Sequence, residues 1–452
     1  MGVLLWWLGL GVFAALATPQ LAQRWPGWPW AVASAAVWGF NLILLVYGIG
    51  PPFRVSRPPF LAASFALLMT AIGSGNYWAT LQLYPAYRVD IEYAAWFVAV
   101  CTAATLAAVV GMQWLRQFRS APVTPRRLHW DWSRLSAVTY LLFLVSAVGT
   151  VATVVRIGYV PILAGDPTSA RVEFPVIGGI WYRLSMLGGV VALLVGVHAA
   201  ARRATLFHYM IGLLSLGLVG VYGPRFFVAL PLGVSLILWD RTRSPLPLGR
   251  VVLLLIFTAP VVAIVGLWRA RDQNAMLLGS LGLLLYGALG EFRDLAWALG
   301  YYGFGDRLLH GGTFGSVVVP LLPTPVWQVV GIDKAGIYAH SSASALADAM
   351  GQTTGQRIGV YGEFFINFGW TGALLGAALY GVLLAYLDSL VRDIDARHVR
   401  GIFLMLTAAT AVFALIGQLD MFTSTLTGFG YPLGLVALIA SRRRNATGIP
   451  QA

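Results

Sequence analysis

The sequence predicts an all-α polytopic membrane protein with about 12 transmembrane helices. Of its 452 residues, 58% are hydrophobic and only 10% are charged. Its mean hydropathy is +0.76. A soluble globule of this size needs far more polar surface to cover its core. The composition therefore excludes a soluble enzyme, a disordered chain, a collagen and a disulfide scaffold.

The predicted spans are apolar runs that are long enough to cross a bilayer. Pro224 divides the 206–239 region into two short spans, because proline interrupts a helix. The predicted spans are 3–18, 29–49, 60–74, 93–114, 135–155, 180–200, 206–221, 226–239, 251–267, 369–390, 401–418 and 422–440.

The placement of basic residues predicts the topology. The chain holds 30 Lys and Arg residues and has a net charge of +13. One set of alternate loops carries 18 arginines, and the other set carries 12 basic residues, six of them in the long segment 268–368. Cytoplasmic loops collect basic residues and long loops are exempt from this rule, so we assign the first set and both termini to the cytoplasm. The same rule accounts for much of the basic charge without a nucleic-acid partner.

Three parts follow from this topology. Residues 1–267 form a nine-helix membrane region, residues 268–368 a large extracytoplasmic loop, and residues 369–452 three further helices with a basic cytoplasmic tail. Within the loop, 276–290 is apolar but short for a full span, so we interpret it as re-entrant or interfacial. The stretch 311–332 is rich in Gly, Pro and Val and is predicted to be an extended loop.

Known energy-coupling and hydrolytic motifs are missing from the sequence, which has no P-loop, no H-E-x-x-H and no G-x-S-x-G. The predicted spans are also nearly free of acids, which disfavours an ion-coupled transporter. Asp90 and Glu92 form an acid-x-acid pair on an outer loop, a pattern that holds a metal in some lipid-linked glycosyltransferases. We interpret this pair as incidental and predict no metal site.

Ionisable residues instead cluster in the predicted outer loops, where arginines dominate. A guanidinium group binds phosphate oxygens in pairs and keeps its charge when partly buried, so a rim of arginines suits a membrane-anchored diphosphate. The simplest interpretation of any single arginine is still a solvated or interfacial ion pair. The candidate arginines are Arg171, Arg225, Arg269, Arg271 and Arg357.

The segment 340–370 holds the densest group of polar candidates, immediately before a predicted span. If residues 362–368 are helical, Glu363 and Asn367 are four residues apart and share a helix face. The alternative is a capped, solvent-exposed helix start. The candidates in this segment are His340, Arg357, Tyr361, Glu363 and Asn367.

The order R-I-G-V-Y-G-E-F-F-I-N-F-G-W-T-G at 357–372 resembles the G-x-R-x-G-x-x-G-E-x-x-x-N-F-G pattern of bacterial oligosaccharide repeat-unit polymerases, the Wzy-type O-antigen polymerases. The G-x-x-P-x-L at 158–163, followed by Arg171, resembles their first functional outer loop. The turn 223–225 resembles the small-x-Arg turn that these polymerases share with the O-antigen ligases. The family's R-x10-G signature is absent at Arg171 and Arg357 and is matched only at 271–282.

The resemblance implies a GT-C-like helical fold in the bacterial inner membrane. It implies a glycosyltransferase that polymerises undecaprenyl-diphosphate-linked repeat units into O-antigen, capsule or exopolysaccharide on the periplasmic face. The reaction would be inverting and independent of metals and cofactors. The implied partners are the lipid-linked glycan donor and acceptor, the lipid bilayer and a chain-length regulator protein.

A mechanism consistent with this resemblance gives each candidate residue a role. The leaving diphosphate needs fixed cations and the acceptor hydroxyl needs a general base. We expect either Glu363 or His340 to be the base. The expected diphosphate ligands are Arg171, Arg225, Arg271 and Arg357, and the expected sugar contacts are Tyr361, Asn367 and Arg269.

Three alternatives stay open at this stage. An O-antigen ligase would use the same donor and transfer the glycan to lipid A core, with His340 as its natural base. A lipid-linked oligosaccharide flippase would move its substrate without covalent chemistry. A different polyprenyl-linked glycosyltransferase is the third.

Overall fold

The structure is a computed structural model and describes most of the chain. The described residues are 28–50, 56–75, 91–117, 128–161, 177–222, 225–243, 290–303, 307–322, 324–349, 357–391, 398–415 and 417–443. The predicted spans 3–18 and 251–267 lie outside them, as does the predicted re-entrant segment 276–290 apart from its last residue.

The described part of the chain is mostly helical, which confirms the all-α prediction. Five of its helical stretches are long and apolar enough to cross a membrane. The number of 12 spans stays a prediction. The five stretches are Tyr93–Leu115, Trp132–Ile157, Gly179–Ala200, Gly359–Val391 and Leu419–Ala440.

The first half of the chain supplies eight of the described helices and one strand. They are α1 (Trp28–Ile43, continued by the π-helical turn Leu44–Ile49), α2 (Pro58–Gly75), α3 (Ile91–Gln117), β1 (Leu128–Trp130), α4 (Trp132–Ile157), α5 (Gly179–Ser185), α6 (Leu187–Ala200), α7 (Leu206–Gly220) and α8 (Arg225–Thr242).

The second half supplies eight more described helices and a second strand. They are α9 (Gly290–Tyr302), α10 (Gly315–Val318, continued by the 3-10 turn Val319–Leu321), α11 (Thr324–Val329), α12 (Lys334–Ala339), α13 (Ser342–Ala349), α14 (Gly359–Val391), α15 (Val399–Phe413), α16 (Leu419–Ala440) and β2 (Ser441–Arg443).

Local sequence explains where two of these helices begin and end. Asp131 precedes α4 and accepts the N–H of Arg134 at 3.4 Å, so it satisfies one of the free donors of the first turn. Gly158 ends α4 in the left-handed region, at φ 85°, which glycine adopts without a steric penalty. Thr205 and His208 form a reciprocal capping box at the start of α7.

One end of the helix bundle carries a short antiparallel ladder, and we call it the ladder end. There β1 pairs with β2, with Leu128 opposite Arg443 and Trp130 opposite Ser441. A buried ion pair joins Arg57, which directly precedes α2, to Asp388 on α14, and the guanidinium donates to the carboxylate at 3.1 and 3.4 Å. Charges this deeply buried are tolerated only when they are paired, so this pair ties α2 to α14.

Helix α14 is folded back on itself. Gly369 breaks it at φ 65° and ψ −154°, a conformation that is essentially restricted to glycine. Gly376 lies against the Phe364 ring and Gly372 lies against Phe368, while the rings of Tyr361 and Tyr380 are 6.1 Å apart. These paired contacts show that residues 359–368, the short limb of α14, run antiparallel to residues 370–391, the long limb.

Small residues allow this close packing. Gly372 and Gly376 are four residues apart on one helix face, the spacing that lets two helix backbones approach in membrane proteins. On the other side of the long limb, Gly381 lies against the backbone of Thr105 in α3. The Thr105 hydroxyl donates to the Ala377 carbonyl at 3.0 Å, so α3 and α14 form the centre of the bundle.

The prediction of an extended loop at 311–332 is wrong. The described part of this stretch is largely helical: α10 and the 3-10 turn lead away from residue 314, and α11 follows. The prolines do not prevent this, because Pro320 lies in the 3-10 turn and Pro325 in the first turn of α11, where no helical N–H is needed.

Candidate functional site

The site is built around Glu363, at the end of the bundle opposite the ladder. Glu363 lies on the short limb of α14 and is fully buried. Its Oε2 accepts the backbone N–H of Leu419, the first residue of α16, at 2.8 Å. Gln418 provides no side-chain cap for α16, so the carboxylate of another helix caps it and meets the positive end of its dipole.

The second carboxylate oxygen of Glu363 is the chemically distinctive atom. Within the described part of the chain, buried Oε1 and Oγ of Ser342, at the start of α13, both lack a hydrogen bond of normal geometry. Ser342 and Asp420 both lie close enough to interact with the Glu363 carboxylate. Buried polar atoms are nearly always paired, so the Ser342 hydroxyl is the natural partner of the carboxylate, and a substrate hydroxyl can take the same place.

Asn367 lies one helical turn after Glu363 and is also fully buried. Its amide nitrogen donates to the Glu363 carbonyl and to Oγ1 of Thr313, both at 2.8 Å. Its Oδ1 accepts the N–H of Gly311 at 2.9 Å. The prediction that residues 362–368 are helical is confirmed. With its three hydrogen bonds made inside the protein, Asn367 joins the 311–313 turn to the Glu363 helix.

Arginine and aspartate side chains continue the site toward α9. Asp294 is buried and accepts two hydrogen bonds from Arg293, at 2.7 and 2.9 Å, and one from the backbone N–H of Arg357, at 3.3 Å. Burial raises the pKa of Asp294, while the charges and hydrogen bonds of Arg293 and Arg357 act against this rise. The Arg357 side chain is exposed and interacts electrostatically with Asp420.

Two predicted site residues lie apart from this arrangement. The Tyr361 hydroxyl is buried between α14 and α3 and is 2.9 Å from Oγ1 of Thr105, so Tyr361 packs the bundle here and its sugar contact stays a prediction. His340 is exposed in the turn between α12 and α13, and its backbone N–H donates to Ile337 at 3.1 Å.

The remaining predicted ligands are not described in enough detail to be placed. Arg171, Arg269 and Arg271 lie outside the described residues, as does Asp90. Arg225 begins α8, but its side chain is not among the described parts of the structure. Among the described residues, no group of three His, Cys, Asp or Glu side chains is close enough to hold a metal ion.

The sequence analysis missed the role of Asp420. This residue falls in the short connection between two predicted spans, 401–418 and 422–440, where an acid is unremarkable. Its neighbour Gln418 offers no cap to α16, and only the three-dimensional structure shows that Glu363 takes this place. In the sequence, the one indication of such a contact is that Asp420 lies on the same predicted side of the membrane as Glu363.

Comparison with known proteins identifies no relative. No family model, no curated protein and no solved structure matches the chain.

Proposed function

We propose that this protein is a polyprenyl-diphosphate-dependent glycosyltransferase that polymerises lipid-linked oligosaccharide repeat units at the periplasmic face of a bacterial inner membrane. One observation carries the proposal. A fully buried carboxylate, Glu363, lies with the Ser342 hydroxyl beside it at one end of an apolar helix bundle, and Asp420 interacts with both Glu363 and the exposed Arg357. The resemblance of residues 357–372 to the repeat-unit polymerases supports the same function.

The proposed chemistry divides two tasks between these residues. The acceptor sugar hydroxyl attacks the anomeric carbon of the lipid-linked donor and gives its proton to Glu363, which acts as general base. The bond between that carbon and the diphosphate oxygen breaks, and the lipid diphosphate leaves with the bonding electrons. Arg357 stabilises its developing charge. Attack opposite the leaving group inverts the anomeric centre.

The geometry favours Glu363 over His340 as the base. Glu363 lies within the cluster that contains Asn367, Ser342 and Asp420, whereas His340 is exposed in a turn. Because Glu363 is fully buried, the acceptor must displace a neighbour to reach it. Ser342 is that neighbour in this proposal, since its hydroxyl lies beside the carboxylate and makes no hydrogen bond of normal geometry. Arg171, Arg225, Arg269 and Arg271 remain proposed ligands for the second diphosphate and the sugars.

The test is reconstitution of the purified protein with a lipid-diphosphate-linked repeat unit in the presence of EDTA, read as a glycan ladder. We expect a ladder from the parent protein, none from Glu363→Gln and a strongly reduced one from Arg357→Ala. Arg307→Ala is the matched control, because Arg307 is an exposed arginine that lies over the Tyr301 ring, 4.3 Å from its centroid. Full activity of Glu363→Gln would refute the assignment of the base.

Other results would favour the alternatives. A ladder that appears only with a divalent cation would direct attention to Asp90 and Glu92. A single transfer to lipid A core, with loss of activity in His340→Ala, would indicate a ligase. Movement of the lipid-linked unit across the bilayer without any new glycosidic bond would indicate a flippase.

A further inference from the structure

A second feature of the structure lies beside the site and has no part in the proposed chemistry. Residues 311–332 contain no Asp, Glu, Lys or Arg, the composition of a segment that can enter a bilayer. The described part of this segment forms a helical hairpin, with α10 and its 3-10 turn as one limb and α11 as the other. The chain turns back here, because Trp327 in α11 reaches the Val319 carbonyl and Ile337 lies against Gly315. We call this element the 311–332 hairpin.

The base of the hairpin lies at the Glu363 end of the bundle. Asn367 holds Gly311 and Thr313 there through two hydrogen bonds. The Phe314 ring packs against Phe364, with 5.3 Å between ring centroids. These contacts fix the level at which the hairpin begins.

The far end of the hairpin lies deep along a membrane-spanning helix. The Tyr431 hydroxyl donates a hydrogen bond to the carbonyl of Leu321, in the 3-10 turn. Tyr431 lies near the middle of the 22-residue helix α16, which begins at Leu419 beside Glu363. At 1.5 Å per residue, Tyr431 lies about 18 Å along the helix axis from Leu419. The hairpin therefore reaches about halfway along this span.

Three backbone carbonyls at the far end are satisfied by side chains. The Trp327 indole N–H donates to the carbonyls of Val319 and Leu322, at 2.9 and 3.2 Å, and Tyr431 takes the carbonyl of Leu321. Pro320 and Pro325 have no N–H group that would need a partner here. Inside a bilayer every backbone polar group must be satisfied within the protein, and this turn has the means to do so.

The outer surface of the hairpin is aliphatic. Its exposed side chains include one amide, Gln328, and six large aliphatic groups, whose exposed fractions run from 40% to 88%. In water a contiguous surface of this kind is unfavourable and calls for a covering partner. The six aliphatic residues are Val318, Leu321, Leu322, Val326, Val329 and Val330.

We infer that the 311–332 hairpin is a re-entrant element that inserts into the membrane leaflet on the Glu363 side, and that lipid acyl chains cover its aliphatic surface. Acyl chains are the occupant that fits, because the hairpin runs alongside a span, carries no charge and has its turn carbonyls capped by Trp327 and Tyr431. This inference stands independently of the reaction proposed above.

The chain is well suited to a test with single cysteines, since Cys101 is its one cysteine and is fully buried. In a Cys101→Ala background, Leu322→Cys places a fluorescent label at the far end of the hairpin, and Val329→Cys places one on its return limb. Leu438→Cys, on α16 at a position that is 82% exposed, serves as the lipid-facing control. Ala339→Cys, exposed at the end of α12, serves as the aqueous control.

The labelled full-length proteins are reconstituted in liposomes of phosphatidylcholine with or without bromine on the acyl chains. We expect brominated lipid to quench the labels at 322, 329 and 438 and to leave the label at 339 unquenched. Bromine near the chain end should quench position 322 more than position 329. In spheroplasts, a membrane-impermeant maleimide should modify Ala339→Cys much faster than Leu322→Cys.

Two results would overturn the inference. The first is an unquenched label at both 322 and 329 together with rapid maleimide reaction, which would place the hairpin in water. The second is a disulfide-linked dimer of Leu322→Cys without quenching, which would make a second copy of the chain the occupant. Gel filtration of each variant, with Val329→Cys as the less deeply placed substitution, separates these outcomes from misfolding.

Discussion

The fold-back of α14 makes a quantitative prediction at Gly376. A Cβ added there would overlap three carbons of the Phe364 ring, the farthest of which would be only 2.8 Å away. Phe364 cannot retreat freely, because its ring also packs on Phe314, at 5.3 Å between centroids. Overpacking of this kind typically costs about 1–3 kcal/mol, so we expect Gly376→Ala to lower the free energy of unfolding by that amount.

Gly434→Ala is the matched control. Gly434 lies within helix α16, and a Cβ there would meet nothing within 4 Å. Replacing an unhindered helical glycine by alanine stabilises a helix by up to about 1 kcal/mol. The two substitutions are chemically identical, so their expected opposite signs isolate the effect of packing.

The assay is reversible unfolding of the purified protein in mixed micelles with increasing SDS, followed by circular dichroism. The double variant Gly376→Ala, Phe364→Leu should recover part of the loss, because the smaller side chain leaves room for the new methyl group. A coupling energy of about 1 kcal/mol or more between the two positions is expected for side chains in direct contact. Equal stability of Gly376→Ala and Gly434→Ala, or strict additivity in the double variant, would refute the antiparallel packing described for α14.

Three further predictions concern buried polar groups, all measured by the same unfolding assay. Asp388→Asn leaves the buried Arg57 guanidinium without its ion pair and should cost about 3–5 kcal/mol. Loss of Arg442, the exposed partner of Asp131, should cost only about 0–1 kcal/mol. The Arg57 side chain is 9% exposed and that of Arg442 is 69% exposed, so equal costs would contradict the effect of burial. Asn367→Leu removes three buried hydrogen bonds and should cost about 3 kcal/mol at roughly 1 kcal/mol each. A cost below that of Gly376→Ala would contradict the stabilising role of these three hydrogen bonds. Burial raises the pKa of Asp294, so the folded state holds the carboxyl proton more tightly than the unfolded state. The free energy of unfolding that this proton contributes therefore falls as the pH rises toward neutral. Asp294→Asn should flatten this pH dependence, and an unchanged slope would contradict the raised pKa.

The sequence predicts much of the helical architecture because apolar runs are a property of the chain alone. The predicted span 369–390 agrees closely with the long limb of α14 after Gly369, and the predicted spans 135–155 and 422–440 agree with α4 and α16. What the sequence does not reveal is how helices of similar apolarity pack on one another. The spacing of Gly372 and Gly376 indicates a close helix contact, but it does not indicate that the partner is the segment that immediately precedes them.

The same limit applies to the candidate site. Glu363, Asn367 and Arg357 stand out in the sequence because polar residues are rare at the start of a span. The position of Tyr361 in the same motif says nothing about which way its ring points, and in the folded chain it faces Thr105. Asp420 and Asp294 are brought to the site by tertiary packing alone, from the start of α16 and from α9.

Asn367 connects the two features that the sequence does not connect. It is one helical turn from the proposed base Glu363, and its side chain also holds the base of the 311–332 hairpin. If the hairpin is embedded in lipid and the proposed reaction holds, the polyprenyl-anchored substrate approaches Glu363 from within the membrane, past an aliphatic wall that is fixed to the helix of the proposed base. A polymerase that exchanges two lipid-linked substrates needs such a lateral path, because neither substrate can leave the bilayer. Asn367→Leu should then slow polymerisation even in lipid conditions that keep the variant folded, whereas Leu322→Cys, at the far end of the hairpin, should leave folding intact.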